Sequence, residues 1–216
     1  MKLFNPGFSD TLLSSQYPFI LKLIRVTSAL FFTAVMIYYL IHYGFYILKY
    51  FTFEVFLLNT ICFDLTLLSY YFIRFRPLAY VLHELILPFN CIVTLIYWAY
   101  LSPYAYSKSQ IMGLIVPHTV PILMNFIDLT LNEIKFDRKH YLVPYVYSLI
   151  YTFCVMLPIT LTDGVLYKGV TFKNWFTAVF IIVLFALVGL FLEIARVIKI
   201  KCTCLVQKTQ VYSEVV

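Results

Sequence analysis

Residues Ser109–Glu133 read SQIMGLIVPHTVPILMNFIDLTLNE, an apolar run long enough to cross a bilayer that also carries His118, Asn125, Asp128 and Asn132. At about 100° per residue these four side chains fall within roughly 80° of one another, a single stripe along one helix face. Polar and ionisable groups are costly in hydrocarbon unless they face protein, water or a partner, so the stripe marks a candidate functional site. The rest of the sequence has to say what it faces.

Composition sets the class. Of the 216 residues 62% are hydrophobic and 12% charged, and the mean hydropathy is +0.89. A soluble domain has no use for that much apolar surface, whereas several windows approach the roughly 20 residues needed to span a membrane. The chain therefore reads as a polytopic, all-α membrane protein. Many of its 19 tyrosines (Tyr17, Tyr43, Tyr100, Tyr104, Tyr106 and Tyr141 among them) lie near span ends, where an amphipathic ring suits the interface. A net charge of +6 raises nucleic acid as a partner, but the cations are not gathered in a soluble domain, so none is expected. Cys62, Cys91 and Cys154 sit within spans, and Cys202 and Cys204 follow the last one. This is neither a disulfide framework nor zinc spacing, and no metal or cofactor is expected. Pro6, Asp10 and Pro18 interrupt the first 20 residues, so the first span is expected to act as the targeting signal.

Six spans are expected, at about 24–46, 52–73, 79–101, 110–132, 141–162 and 175–197. Residues 1–23 form an N-terminal, partly interfacial segment, 24–200 the transmembrane domain and 201–216 a tail. Short connections favour an antiparallel bundle of sequential neighbours. Six spans place Lys2, Lys22, Arg25, Arg74, Arg76, Lys135, Arg138, Lys139, Arg196, Lys199, Lys201 and Lys208 on one side, and only Lys49, Lys108, Lys168 and Lys173 on the other. That asymmetry predicts both termini in the cytosol, or in the matrix of a mitochondrion.

Polar residues concentrate in spans two, three and four. Span two carries Thr52, Asn59 and Thr66 at heptad spacing, with Asp64 roughly 120° away from Thr52 and Glu54 further round. Span three carries Glu84, Pro88, Cys91 and Trp98 on one side, and span five Ser148, Thr152, Thr160 and Thr162. Spans two to four are expected to enclose a shared site, with one and six nearer lipid. Asn59, Asn90, Asn125 and Asn132 fit interhelical hydrogen bonding. Asp64 and Asp128 lie towards the basic side, where water or Arg74 and Arg76 can reach them. His118 lies about nine residues in, roughly 13 Å at helical rise, where a neutral imidazole is tolerated and suits a general base. Pro117 and Pro121 bracket it and release the carbonyls of Gly113 and Pro117 from their helical bonds, the pattern of a pocket wall.

Three segments resemble the androgen-induced gene family of multi-pass membrane proteins. Leu48-Lys49-Tyr50-Phe51-Thr52-Phe53 is similar to its threonine-bearing motif, Leu87–Leu101 (LPFNCIVTLIYWAYL) to its third span, and Pro117-His118-Thr119-Val120-Pro121 to its fourth, with Asp128 and Asn132 following. The resemblance extends over roughly residues 20–200. It implies a hydrolase of fatty acid esters of hydroxy fatty acids, with Thr52 as nucleophile, His118 as base, membrane lipids as partners and the endoplasmic reticulum as location. A hydroxyl needs such a base within hydrogen-bond reach to become a good nucleophile. Helical rise, however, puts Thr52 about one residue and His118 about nine from the same edge, a gap near 12 Å. Asn59 and Thr60 are level with His118, which makes Thr60 the alternative nucleophile, with Asn125 and Asp128 in support.

Two readings from other classes stand beside this one. The near absence of soluble mass also suits a non-catalytic accessory subunit of a larger membrane complex, for which the mitochondrial inner membrane is the natural location. A proton-coupled carrier using His118 and Asp128 is the third, although no inverted repeat supports it. Cys202 and Cys204 beside lysines form a juxtamembrane pattern for S-palmitoylation if that side is cytosolic.

Overall fold

The computed structural model describes the backbone of residues 10–101, 108–164, 166–167 and 170–215, and the side chains among these except 100, 101, 108–113 and 202–215. Among the described residues every regular element is helical, and six stretches are long and apolar enough to cross a membrane. The chain is an all-α integral membrane protein built as an antiparallel six-span bundle.

The first helix, α1 (Pro18–Tyr43), begins six residues earlier than expected. Pro18 accounts for the start, because its fixed φ suits the first helical turn and its missing N–H is not needed there. Gly44 accounts for the stop: at φ 68° it occupies the left-handed region, and its N–H closes on the Leu40 carbonyl. A short 3₁₀ turn, Phe45–Lys49, leads into α2 (Phe51–Tyr71). Helix α3 (Arg76–Ile96) widens into a π-turn over Tyr97–Leu101, and α4 (Lys108–Leu131) passes both internal prolines as one helix. The fifth span is composite: α5 (Leu142–Ile150), a π-turn at Tyr151–Met156, then α6 (Leu157–Thr162). Pro158 explains that break, since it cannot donate to the carbonyl one turn back and the helix relaxes just ahead of it. Helix α7 (Trp175–Val215) continues well past the hydrophobic run, so the backbone of the expected tail is helical as far as Val215. The side chains of Cys202 and Cys204 lie outside the described residues.

Helix α3 is the axis of the bundle. Of the membrane-crossing stretch that contains it 78% is buried, against 17–39% for the other five. Leu85, Ile86, Phe89 and Ile92 anchor the largest apolar cluster, which also takes in Val188 and Leu192 of α7. A second cluster joins Ala29, Phe32 and Met36 of α1 to Phe56 and Phe63 of α2. Spans one and six present much of their remaining surface outward, as expected of lipid-facing helices.

Helix α7 comes close to α5 at Gly189. A Cβ placed there would lie 2.4 Å from the Tyr145 hydroxyl, and the Tyr145 ring is itself stacked on Phe185 at 5.8 Å. Gly189→Ala should therefore overpack the contact and lower stability by about 1–3 kcal/mol. Adding Tyr145→Phe, which removes the offending oxygen, should recover most of the loss in a thermal melt of the detergent-solubilised protein. An unchanged melting temperature in the single variant would mean that the ring swings aside freely.

Candidate functional site

The polar stripe of span four divides into three environments. In the middle, Asn125 donates to the Asn59 side-chain oxygen at 2.7 Å and to the Pro121 carbonyl at 2.8 Å. Asn59 and Asn90 exchange a reciprocal amide pair at 3.0 and 2.9 Å, and Asn59 also donates to the Val55 carbonyl. Three buried amides thus stitch α2, α3 and α4 together, with Asn125 also capping the Pro121 carbonyl one turn back in its own helix. Asn59 and Asn125 are structural here. Thr60 is as well: its hydroxyl lies 3.1 Å from the Phe56 carbonyl of its own helix and faces α1, which removes it as the alternative nucleophile.

Towards the basic end, Asp128 is fully buried, and it pairs with neither Arg74 nor Arg76. Its partner is Arg25 of α1, at 2.6 Å to Oδ1 and 3.2 Å to Oδ2. Arg25 is 0% exposed, and its remaining donors reach the Leu12 carbonyl at 2.8 Å and the Tyr70 hydroxyl at 3.3 Å. Asn132 donates to the other side of the carboxylate at 2.7 Å, and the His83 ring lies 3.7 Å away. Arg25 is thus no loop cation but the counter-ion of span four, two-pronged as a guanidinium–carboxylate pair should be. Arg76 instead pairs with Asp10 at 2.6 Å, while Asp64 accepts from the Thr33 hydroxyl at 3.2 Å. Next to this network, Glu84 holds His140 at 2.6 Å and the Asp137 N–H at 3.1 Å, which pulls the 133–141 connection into the bundle. The N-terminal segment closes the same end, with Leu12 fully buried and the Ser14 carbonyl accepting from the Glu133 N–H at 3.0 Å.

The outer half of the stripe belongs to a different feature. His118 lines a partly open cavity of about 70 Å³, and Thr52 lines the same cavity. Despite the depth mismatch expected from helical rise, both residues line this one cavity, Thr52 from the head of α2 and His118 from the proline-bracketed turn of α4. No hydrogen bond joins them among the described residues. The cavity's walls also differ from expectation. Phe89, Ile92 and Val93 of α3 supply one side, but Ser148 and Thr152 of the fifth span, and Phe180, Leu184 and Val188 of α7, supply much of the rest. Spans five and six complete a site expected from spans two to four alone, and the lining is overwhelmingly apolar.

Tyrosines organise the end of the cavity where Thr52 lies. Tyr151 donates to the Lys49 carbonyl at 3.0 Å and meets the Tyr167 hydroxyl at 3.0 Å, and Tyr167 in turn accepts from the Phe51 N–H at 2.9 Å. Burial pushes the Tyr167 phenol above its usual range, so it stays protonated and holds this bridge. The bridge fixes the residue just before Thr52 against the connection that follows span five. Deeper in, the Nδ1 atom of His118 is sealed and has no hydrogen-bond partner among the described residues. Its ring lies flat on Tyr97, with centroids 3.8 Å apart and planes 10° from parallel.

Chemically, the arrangement offers a hydroxyl-bearing and an imidazole-bearing residue on the wall of one largely apolar space, with no cluster of metal-ligating side chains among the described residues. Sequence reasoning singled out Thr52 and His118, which line this cavity, but did not point to the Arg25–Asp128 pair, the Tyr97 stack or the walls from spans five and six. Only Arg25 carried a visible sign, a cation inside the helix that Pro18 starts. No family model matches the chain, and comparison with curated proteins and with solved structures likewise gives no match. Fold and site define a six-span integral membrane protein with a membrane-embedded apolar cavity.

Proposed function

We propose that this protein is a membrane-embedded lipid-ester hydrolase in which Thr52 is the nucleophile and His118 the general base. The observation that carries this reading is the shared cavity. Two residues 66 positions apart, one bearing a hydroxyl and one an imidazole, line a single largely apolar space. In the first half-reaction the Thr52 oxygen attacks the ester carbonyl as His118 accepts its proton. The carbon–oxygen bond to the leaving alcohol then breaks, and His118 returns that proton to the departing oxygen. In the second, His118 deprotonates a water that attacks the acyl-threonine, releasing the acid and restoring the hydroxyl. A lipid ester would enter sideways from the bilayer and lay its chains along Phe89, Ile92 and Leu184, which gives a reason to place such chemistry inside a membrane.

The resemblance to the androgen-induced gene family supports the same reading. It favours fatty acid esters of hydroxy fatty acids as the substrate class and the endoplasmic reticulum as the location. With the basic end in the cytosol, the end of the cavity bearing Thr52 faces the lumen.

The test is covalent labelling of the purified protein by an alkyl fluorophosphonate. Wild type should label, with the modified residue mapping to Thr52 by mass spectrometry, and Thr52→Ala should lose the label. Labelling that persists in Thr52→Ala, or an absence of labelling in wild type together with obligate co-purification of other subunits, would turn the assignment towards an accessory subunit.

A further inference from the structure

Resting on the hydrolase reading of the cavity, we infer that Tyr97 is the positioning residue for His118, holding the imidazole plane by face-to-face contact rather than by a hydrogen bond. A catalytic histidine is ordinarily oriented through its second ring nitrogen, which donates to a carboxylate or a carbonyl. That device is missing here: Nδ1 of His118 is buried and unpartnered among the described residues. The closest organised contact on the ring is Tyr97, at 3.8 Å and 10°. Tyr97 is itself only 2% exposed, and its hydroxyl has no hydrogen-bond partner among the described residues.

The neighbours on span three act on the same turn of span four. The Thr94 hydroxyl donates to the His118 carbonyl at 2.5 Å, and the Trp98 indole N–H donates to the Thr119 hydroxyl at 3.0 Å. Thr94, Tyr97 and Trp98 stand at i, i+3 and i+4, one face of the helix. The first two grip the backbone and the ring of His118, and the third grips the next residue. The π-turn starts at Tyr97, and such widenings recur at functional sites. Where α4 has given up helical hydrogen bonds at Pro117 and Pro121, span three supplies the rigidity that α4 lacks. A stack, unlike a hydrogen bond through a ring nitrogen, holds the imidazole without depending on its protonation.

The experiment compares wild type, Tyr97→Phe, Tyr97→Leu and His118→Ala for the rate of labelling by an alkyl fluorophosphonate, separating the maximal labelling rate from the concentration dependence. Tyr97→Phe keeps the stacked ring and should label within about twofold of wild type. Tyr97→Leu should lower the maximal rate at least tenfold with little change in concentration dependence, the signature of a misplaced base in a site that still binds. Should Tyr97→Leu not yield monodisperse protein, Tyr97→Met is read in the same way. A second readout needs no catalysis: carbethoxylation of His118 by diethylpyrocarbonate, followed by mass spectrometry, should speed up several-fold in the Leu variant and not in the Phe variant. If His118→Ala is slow while Tyr97→Leu matches wild type, the positioning role is overturned and the hydrolase reading stands. If Tyr97→Phe falls as far as Tyr97→Leu, the hydroxyl rather than the stack is at work and the inference fails. If His118→Ala labels at the wild-type rate, both fall together.

Discussion

Arg25→Met should be among the most damaging single substitutions in this chain, lowering stability by about 3–5 kcal/mol. The reason is the charge left behind. Asp128 is fully buried, and among the described residues it would be left with the Asn132 amide and the neighbouring His83 ring as its remaining polar neighbours. The Leu12 carbonyl would lose its donor as well, loosening the N-terminal segment that closes this end of the bundle. Desolvating a paired charge nearly cancels its Coulombic gain, so removing both partners should do far less harm than removing one. The double variant Arg25→Met/Asp128→Leu is accordingly expected to melt much closer to wild type than either single variant. Thermal denaturation in detergent of the four proteins in this cycle measures the coupling. Additive losses would show that the pair is not the unit drawn here.

His118→Ala should lower ester hydrolysis by about 10²–10⁴-fold, the range a positioned general base contributes. The substrate to use is a fatty acid ester of a hydroxy fatty acid presented in mixed micelles, with the released acid quantified by mass spectrometry. Circular dichroism should be unchanged, because no side-chain hydrogen bond of the imidazole joins it to another helix among the described residues. A variant that hydrolyses at the wild-type rate would remove His118 from the chemistry and leave the cavity as a binding site alone. Together the two substitutions separate the halves of span four: one should cost the fold and spare the chemistry, the other the reverse.

The contrast also shows how far residue pattern reaches. The six spans were legible because twenty apolar residues in a row have few fates in a folded protein, and Pro18, Gly44 and Pro158 explain in local terms where helices begin, end or widen. The amides within the spans were legible as interhelical glue, and Asn59 of span two, Asn90 of span three and Asn125 of span four do form it. Asp128 was visible as a buried charge but was assigned the wrong neighbours. Arg25 near the start of a span looks the same in sequence whether it reaches back to water or inward to a carboxylate. Which of these happens depends on how α1 packs against α4, and that is long-range information.

Thr52 and His118 bring the same lesson from the other side. As residue types they could be selected from the chain, yet helical rise alone set them about 12 Å apart in depth. That both line one cavity depends on side chains of spans five and six that share its wall, and an apolar residue that lines a space reads no differently from one that fills it. Tyr97 was likewise one aromatic among many until its ring was found flat on the imidazole. Composition and hydrophobic run length determined by themselves that this chain is a six-helix membrane bundle with a polar stripe in its fourth span, since the bilayer admits few alternatives to a closed helix. The tertiary packing alone decided that the stripe serves as an ion-pair anchor at one end and a cavity wall at the other, because pairing and enclosure depend on which helices meet.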